Sequence, residues 1–232
     1  MTFGTEPLTG DDESKVSLRP QPKFEPVAKS QTKSIAREII ETIILTVFIF
    51  LAVRTVVQNF KVEGFSMEPT LHTGQYLLVN KAAYFHFSKT GALSFLPGSE
   101  YGKSGQVYLF GGPQRVDIIV FEYPEDPSRD FIKRIIGLPV DVIEIKDSRV
   151  FVNVVCLNEP YVKEAPGYEL PAPVTVPQDS VFVMGDNRNN SSDSHIWGPL
   201  PLAKIIGKGW LCYWPAENWG LLQHAALSEQ LR

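Results

Sequence analysis

The chain predicts a mainly β, antiparallel domain behind a single N-terminal apolar helix. Three observations carry that prediction. One long apolar run lies near the N-terminus, and short segments rich in β-branched and aromatic residues recur beyond it. The 18 prolines and 17 glycines, most of them beyond residue 60, supply the turns that such strands need and a helical bundle would not tolerate. At 232 residues there is room for one domain of moderate size with short appendages.

Residues 1–34 are polar, mixed in charge and poor in large apolar groups, and read as a polar cytoplasmic tail without order. The run from Ile39 to Val57 is apolar on nearly every face, so a half-buried amphipathic helix does not fit it. Its 19 residues extend over about 28 Å as a helix, close to a hydrocarbon core of about 30 Å, and the anchor is assigned to 35–58. No A-x-A-like site follows, which argues against a removable leader. Lys23, Lys29, Lys33 and Arg37 precede the span, whereas only Arg54 and Lys61 lie near its exit. The positive-inside rule then places the N-terminus in the cytoplasm and the following domain outside it, across the plasma membrane.

That domain is assigned to 59–222, with strands expected around Tyr76–Val79, Ile118–Phe121, Phe131–Ile136, Val142–Ile145, Val150–Val155 and Ser180–Met184. Residues 84–114 change character: Ser88-Lys89-Thr90-Gly91, Pro97-Gly98 and Gly111-Gly112-Pro113 mark a variable insertion or long loop. Glu217 to Arg232 is compatible with one short amphipathic helix, and 223–232 forms a C-terminal tail. A net charge of −4 without a basic stripe excludes a nucleic-acid partner. Cys156 and Cys212 are too few for a disulfide framework and lack zinc spacing, so two separate core thiols are expected rather than a bridge.

Three clusters carry chemistry. Gly64-Phe65-Ser66-Met67-Glu68-Pro69-Thr70-Leu71 offers a serine soon after the apolar run, and Phe131-Ile132-Lys133-Arg134 puts a lysine inside an apolar strand. Gly185-Asp186-Asn187-Arg188-Asn189-Asn190-Ser191-Ser192-Asp193-Ser194 is a dense polar turn. A serine hydroxyl needs a base. None of His72, His86, His195 and His224 sits in a motif that announces a triad, and the serine lacks the second glycine of G-x-S-x-G. Lysine serves as a base only when neutral, and burial among apolar groups lowers its pKa from about 10.4 by several units. Lys133, flanked by Phe131, Ile132, Ile135 and Ile136, is placed for that. Arg188 in the middle of the polar turn speaks against a calcium loop.

In this order, the membrane segment, the Ser66 box, Asp117 to Phe121, the Lys133 box through Pro139, Asn158-Glu159-Pro160-Tyr161, and the polar turn through Trp197-Gly198 resemble bacterial type I signal peptidase (leader peptidase). The resemblance covers roughly residues 36–215 and implies a mostly β catalytic domain that removes signal peptides from exported preproteins. It implies Ser66 as nucleophile and Lys133 as general base, with the Ser191 hydroxyl orienting the lysine amine and the Ser66 backbone N–H donating to the oxyanion. Asp186, Arg188 and Asp193 would hold the fold near the site. Val62, Met67, Leu71, Phe131 and Ile132 would form shallow pockets for small residues before the scissile bond. No metal or organic cofactor is expected. The implied partners are preproteins with signal peptides, the lipid bilayer and the protein-export machinery. Trp197, Trp210, Trp214 and Trp219 include candidates for the bilayer interface, or are ordinary core and rim aromatics.

The match departs from the family in places. Gly64 stands where some members have a serine that adds an oxyanion donor. Val116, Val140 and Val154 stand where glycine is usual, so either those turns do not need positive φ or the domain is less stable than its relatives. His195 replaces the usual arginine and is expected to partner Asp193 only when protonated. Four rival readings stay open: a specialised Ser–Lys peptidase for one transferred protein, a self-cleaving repressor type, a Ser–His hydrolase, and a non-catalytic membrane-tethered binding domain. The second would need a DNA-binding domain where this chain has its apolar run.

Overall fold

The computed structural model describes residues 1, 2, 4, 28–88, 99–101 and 106–222. Helix α1 runs from Ala28 to Val56. It begins ahead of the expected anchor because Lys, Gln, Ala, Arg and Glu are good helix formers and carry the helix past the apolar stretch. An Arg37–Glu41 pair at 2.6 Å spans one turn there. Ile35–Val56 is long and apolar enough to cross a membrane, and Ile44, Phe48 and Phe50 are among its exposed large side chains.

By contacts the chain forms two compact units, Met1–Val47 and Phe48–Arg232, and the second contains all the strands. They are β1 (Val57–Lys61), β2 (Tyr76–Asn80), β3 (His86–Ser88), β4 (Ser99–Tyr101), β5 (Gln106–Tyr108), β6 (Ile118–Glu122), β7 (Asp130–Gly137) and β8 (Val142–Lys146). There follow β9 (Arg149–Val152), β10 (Val155–Cys156), β11 (Val174–Thr175), β12 (Ser180–Met184), β13 (Leu200–Pro201), β14 (Ile205–Trp214) and β15 (Gly220–Leu221), with a short helix α2 (Ser194–Trp197) before β13. The main sheet has the order β1-β2-β14-β6-β7-β12-β13, with β15 on β14, and every pairing is antiparallel. The mainly β, antiparallel expectation therefore holds. β14 sits between the hairpin half that leads to Ser66 and the half that carries Lys133, although it follows β1, β2, β6 and β7 in sequence.

β7 lies between β6 and β12 and is buried without alternation from Lys133 to Gly137, the two cations Lys133 and Arg134 included. Its two sides meet different clusters. Ile135 packs with Phe121, Val183 and Leu200, and Ile136 packs with Ile143, Val152 and Phe182. A third cluster, Val62, Met67, Leu71, Leu77, Ile118, Cys212 and Leu222, lies under the serine loop.

Other outcomes depart from the sequence reading. The 84–114 stretch, read as an insertion or long loop, contributes β3, β4 and β5 to a small antiparallel sheet of its own. Glu217 lies in a 3-10 turn and Gly220–Leu221 pairs with β14, so no helix starts at 217; residues 223–232 lie outside the described ones. Both cysteines are free, but Cys156 is exposed rather than in the core. The turns at Val116, Val140 and Val154 do require positive φ, at 66°, 69° and 66°. All three flank one buried cluster: Arg115 pairs with Asp141 at 3.0 Å, and Asn153 donates to Asp141 at 2.6 Å. A non-glycine residue held in that region costs about 1–3 kcal/mol, and β-branching puts valine among the worst tenants.

Candidate active site

Ser66 sits on a loop that its apolar neighbours fasten from below. Met67 and Leu71 are each 1% exposed and pack into the third cluster, and the Leu71 N–H donates to the Met67 carbonyl at 2.9 Å. They do not line the cleft, contrary to expectation: large apolar side chains beside an exposed nucleophile gain more by burial in the sheet than by facing water. Gly64, at φ +90°, makes the turn into the loop, and Thr73 donates to its carbonyl at 2.6 Å.

Lys133 projects from the middle of β7, and its Nζ lies 2.9 Å from Ser66 Oγ and 2.9 Å from the Ile132 carbonyl. The residue is 3% exposed. Burial lowers its pKa from 10.5 to about 8, against the opposing pull of Asp193 and Asp186. Its ammonium also sits 5.1 Å from the Phe131 ring centroid. No histidine hydrogen-bonds Ser66 among the described residues; His72 instead faces Glu68 at 3.3 Å. A cleft of about 640 Å³ opens over the pair, and its wall includes Val62, Phe131 and Ile132 together with Phe60, Leu77 and Val120.

The polar turn closes the site from the third side. Asn187 donates through its backbone to the Ser66 carbonyl at 3.0 Å and through its side chain to the Phe65 carbonyl at 3.1 Å. Gly185 lies so close that a Cβ there would come within 2.4 Å of the Ser66 carbonyl oxygen and 2.3 Å of Ser191 Oγ. The Ser191 hydroxyl is buried with no hydrogen-bond partner among the described residues, so in this arrangement it does not hold the lysine amine. Sequence reasoning passed over Gly185 and Asn187, although both belong to the quoted box, because their contacts are made across the chain.

Three carboxylates, Asp186, Glu159 and Asp193, fix the turn. Asp186 receives Arg134 Nε at 2.8 Å and NH2 at 2.6 Å, and Tyr161 stacks on that guanidinium at 4.0 Å. Arg188 meets Glu159 at 2.5 Å and 2.6 Å, which explains the acid in the Asn158–Tyr161 box. Asp193 accepts from the Gly185 N–H at 2.9 Å and caps α2. His195 Nδ1 lies 2.6 Å from Asp193 Oδ1, with Tyr168 stacked on the ring at 4.0 Å. A carboxylate only accepts, so Nδ1 carries the proton, and a neutral imidazole does this as well as a charged one. Pairing with Asp193 therefore does not require protonation, which corrects the expectation drawn from the replaced arginine.

A serine hydroxyl 2.9 Å from a buried lysine amine is the arrangement that a serine hydrolase needs where lysine takes the place of histidine. The family described as signal peptidase, peptidase S26, matches residues 36–214, and the chain belongs to that family. Probable signal peptidase I-1 of Synechocystis sp. is 42% identical over 164 residues, covering 68% of this chain and 71% of that protein. Signal peptidase I of Leptolyngbya laminosa is 38% identical over 221 residues, covering 90% of this chain and 97% of its own length. Signal peptidase I of Pseudomonas aeruginosa is 32% identical over 209 residues, with 72% and 69% covered. Among solved structures, a signal peptidase I from Enterococcus faecalis V583 matches at 32% identity and a TM-score of 0.37, covering 42% of this chain and 97% of that one.

Proposed function

We propose that Ser66 and Lys133 form the catalytic dyad of a membrane-anchored serine endopeptidase that removes signal peptides from preproteins. The observation that carries this reading is the 2.9 Å contact between Lys133 Nζ and Ser66 Oγ, made by a lysine 3% exposed whose pKa falls to about 8. Neutral Lys133 takes the Ser66 proton as Oγ attacks the peptide carbonyl, giving a tetrahedral oxyanion that the Ser66 backbone N–H stabilises. The intermediate collapses, the C–N bond breaks, and the lysine ammonium gives its proton to the departing amine. Water, with Lys133 again as base, then hydrolyses the acyl-enzyme and frees Ser66.

Small residues before the scissile bond seat against Val62, Phe131 and Ile132, the same apolar wall that desolvates Lys133. The buried, unpaired Ser191 hydroxyl turns toward the amine once the serine proton has moved and holds it in line. The basic residues before α1 put its N-terminus in the cytoplasm, and the β domain works outside the plasma membrane, on substrates delivered by the export machinery. Anchoring raises the effective concentration of substrates held in the same bilayer. Trp210, Trp214 and Trp219, which are 48%, 57% and 73% exposed, support contact with the bilayer interface, whereas Trp197 packs against Phe121 and Tyr123.

Cleavage of a fluorogenic peptide with alanine at the two signal-site positions, in detergent, tests the dyad. Ser66→Ala and Lys133→Met are expected to lose at least about a thousandfold in kcat/KM, while His195→Ala keeps substantial activity. Full activity in Lys133→Met would overturn the reading.

A further inference from the structure

Arg129 is a charged part of the cleft wall that neither the dyad nor the small-residue pockets use. It lines the same cleft as Ser66 and Lys133, is exposed, and makes no ion pair among the described residues. Its guanidinium lies 5.2 Å from the Phe131 ring centroid and 6.0 Å from that of Tyr123, and those two rings stack on each other at 4.4 Å. The rings sit beside the cation, and its N–H groups make no side-chain hydrogen bond or ion pair among the described residues. Its neighbours are otherwise engaged: Asp126 accepts from the Ser128 N–H and hydroxyl, and Lys61 pairs with Glu63 at 3.1 Å.

Its position along the strand sets what it can meet. The Tyr123 N–H donates to the Arg129 carbonyl at 2.9 Å, which extends the β6–β7 pairing by one step beyond Glu122 and Asp130. Arg129, Phe131 and Lys133 thus follow one another on one face, with the Phe131 ring close to both cations. Four residues of strand cover about 13 Å, so an extended peptide lying along β7 brings the fourth residue from its reacting carbonyl level with Arg129. Phe131 and Ile132, which wall the pockets for residues before the scissile bond, lie between Arg129 and Lys133, so the approach is from that side.

We propose that Arg129 is a specificity residue that favours preproteins carrying an acidic side chain about four residues before the cleavage site. This rests on the Ser66–Lys133 reading of the cleft. Asp130, which lines the same cleft and pairs across from Glu122, is the competing charge on this rim; burial and the nearby Glu122 raise its pKa.

The test uses the full chain in detergent and peptides that differ only by Glu, Gln or Lys at the third to fifth position before the cleaved bond. Wild type is expected to favour Glu over Lys by about two- to fivefold in kcat/KM, the range of an exposed ion pair. The ratio should fall to near one in Arg129→Gln and reverse in Arg129→Glu. An equal ratio in wild type and Arg129→Gln, or a preference for Lys that Asp130→Asn removes, would overturn the proposal. Ser66→Ala separates the two claims: if it loses cleavage while the wild-type ratio is flat, the selectivity alone is sunk, whereas cleavage retained in Ser66→Ala sinks the dyad on which it rests.

Discussion

The cluster around the dyad and the cluster around Asp141 are both buried, both ionic and both fastened by arginine, yet only one is built under strain. Beside the dyad, Asp186, Arg188 and Asp193 each have charged or backbone partners at 2.5–3.2 Å, and no residue between Gly185 and His195 has positive φ. Around Asp141, three valines and Asn153 are held at positive φ by the turns that bring Arg115, Asp141 and Asn153 together. The difference teaches where this domain tolerates poor local fit. Strain is confined to turns that shape the scaffold, while the segments that aim Ser66 and Lys133 keep relaxed backbone and paired charges.

The most severe way to break that comparison is to unpair the relaxed cluster. Asp186→Ala leaves the Arg134 guanidinium, 1% exposed, without its carboxylate. A loss of about 3–5 kcal/mol in denaturant unfolding is expected. A loss below about 1 kcal/mol would mean that the cluster is no firmer than the Asp141 one.

Lys133 is the exception inside the relaxed region, since its strain is electrostatic rather than conformational. Its pKa is lower folded, at about 8, than the 10.5 of the free side chain, so between those values the unfolded chain binds more protons. Stability therefore rises with pH through that window, by about 3 kcal/mol, and the penalty is fully present below pH 8. Lys133→Met removes it, and a variant dead in cleavage but more resistant to urea at pH 7 is the expected result. In wild type, kcat/KM should fall about tenfold per pH unit below pH 8 as the amine takes up its proton. A flat profile from pH 6 to pH 8 would remove lysine from the role of base.

The smallest effects sharpen the other side of the comparison. Val116→Gly, Val140→Gly and Val154→Gly should each stabilise by about 1 kcal/mol, the left-handed penalty less the extra freedom of glycine in the unfolded chain. That amounts to a rise of about 2–4 °C per substitution in a thermal melt, with kcat unchanged.

Much of this site is legible in the sequence because the residues proposed to react are also the residues whose types are unusual in their surroundings. A serine in a Gly/Pro loop and a lysine in an apolar strand stand out, and the order of the boxes names the family. Met67 and Leu71 are not legible in the same way, since an apolar side chain next to a nucleophile reads alike whether it lines a pocket or anchors a loop. The strain at the three valines shows as a mismatch of residue and turn, but whether the turn yields or the valine does is settled only by the backbone. Gly185, Asn187 and Glu159 act through partners that lie far along the chain, with 122 positions between Asn187 and Phe65. No periodicity records such contacts. The three strands within 84–114 escaped for a simpler reason: each is three residues long, too short for alternation to register.

The place of β14 has a consequence for the timing of synthesis. The half of the sheet that leads to Ser66 and the half that carries Lys133 lie on either side of this strand, and its first residue, Ile205, is made after both of those residues. A ribosome-bound chain that ends before Ile205 holds the nucleophile and its base but lacks the strand that joins their two halves. The pairing of Ser66 with Lys133 is thus tied to a strand that is laid down after both of them.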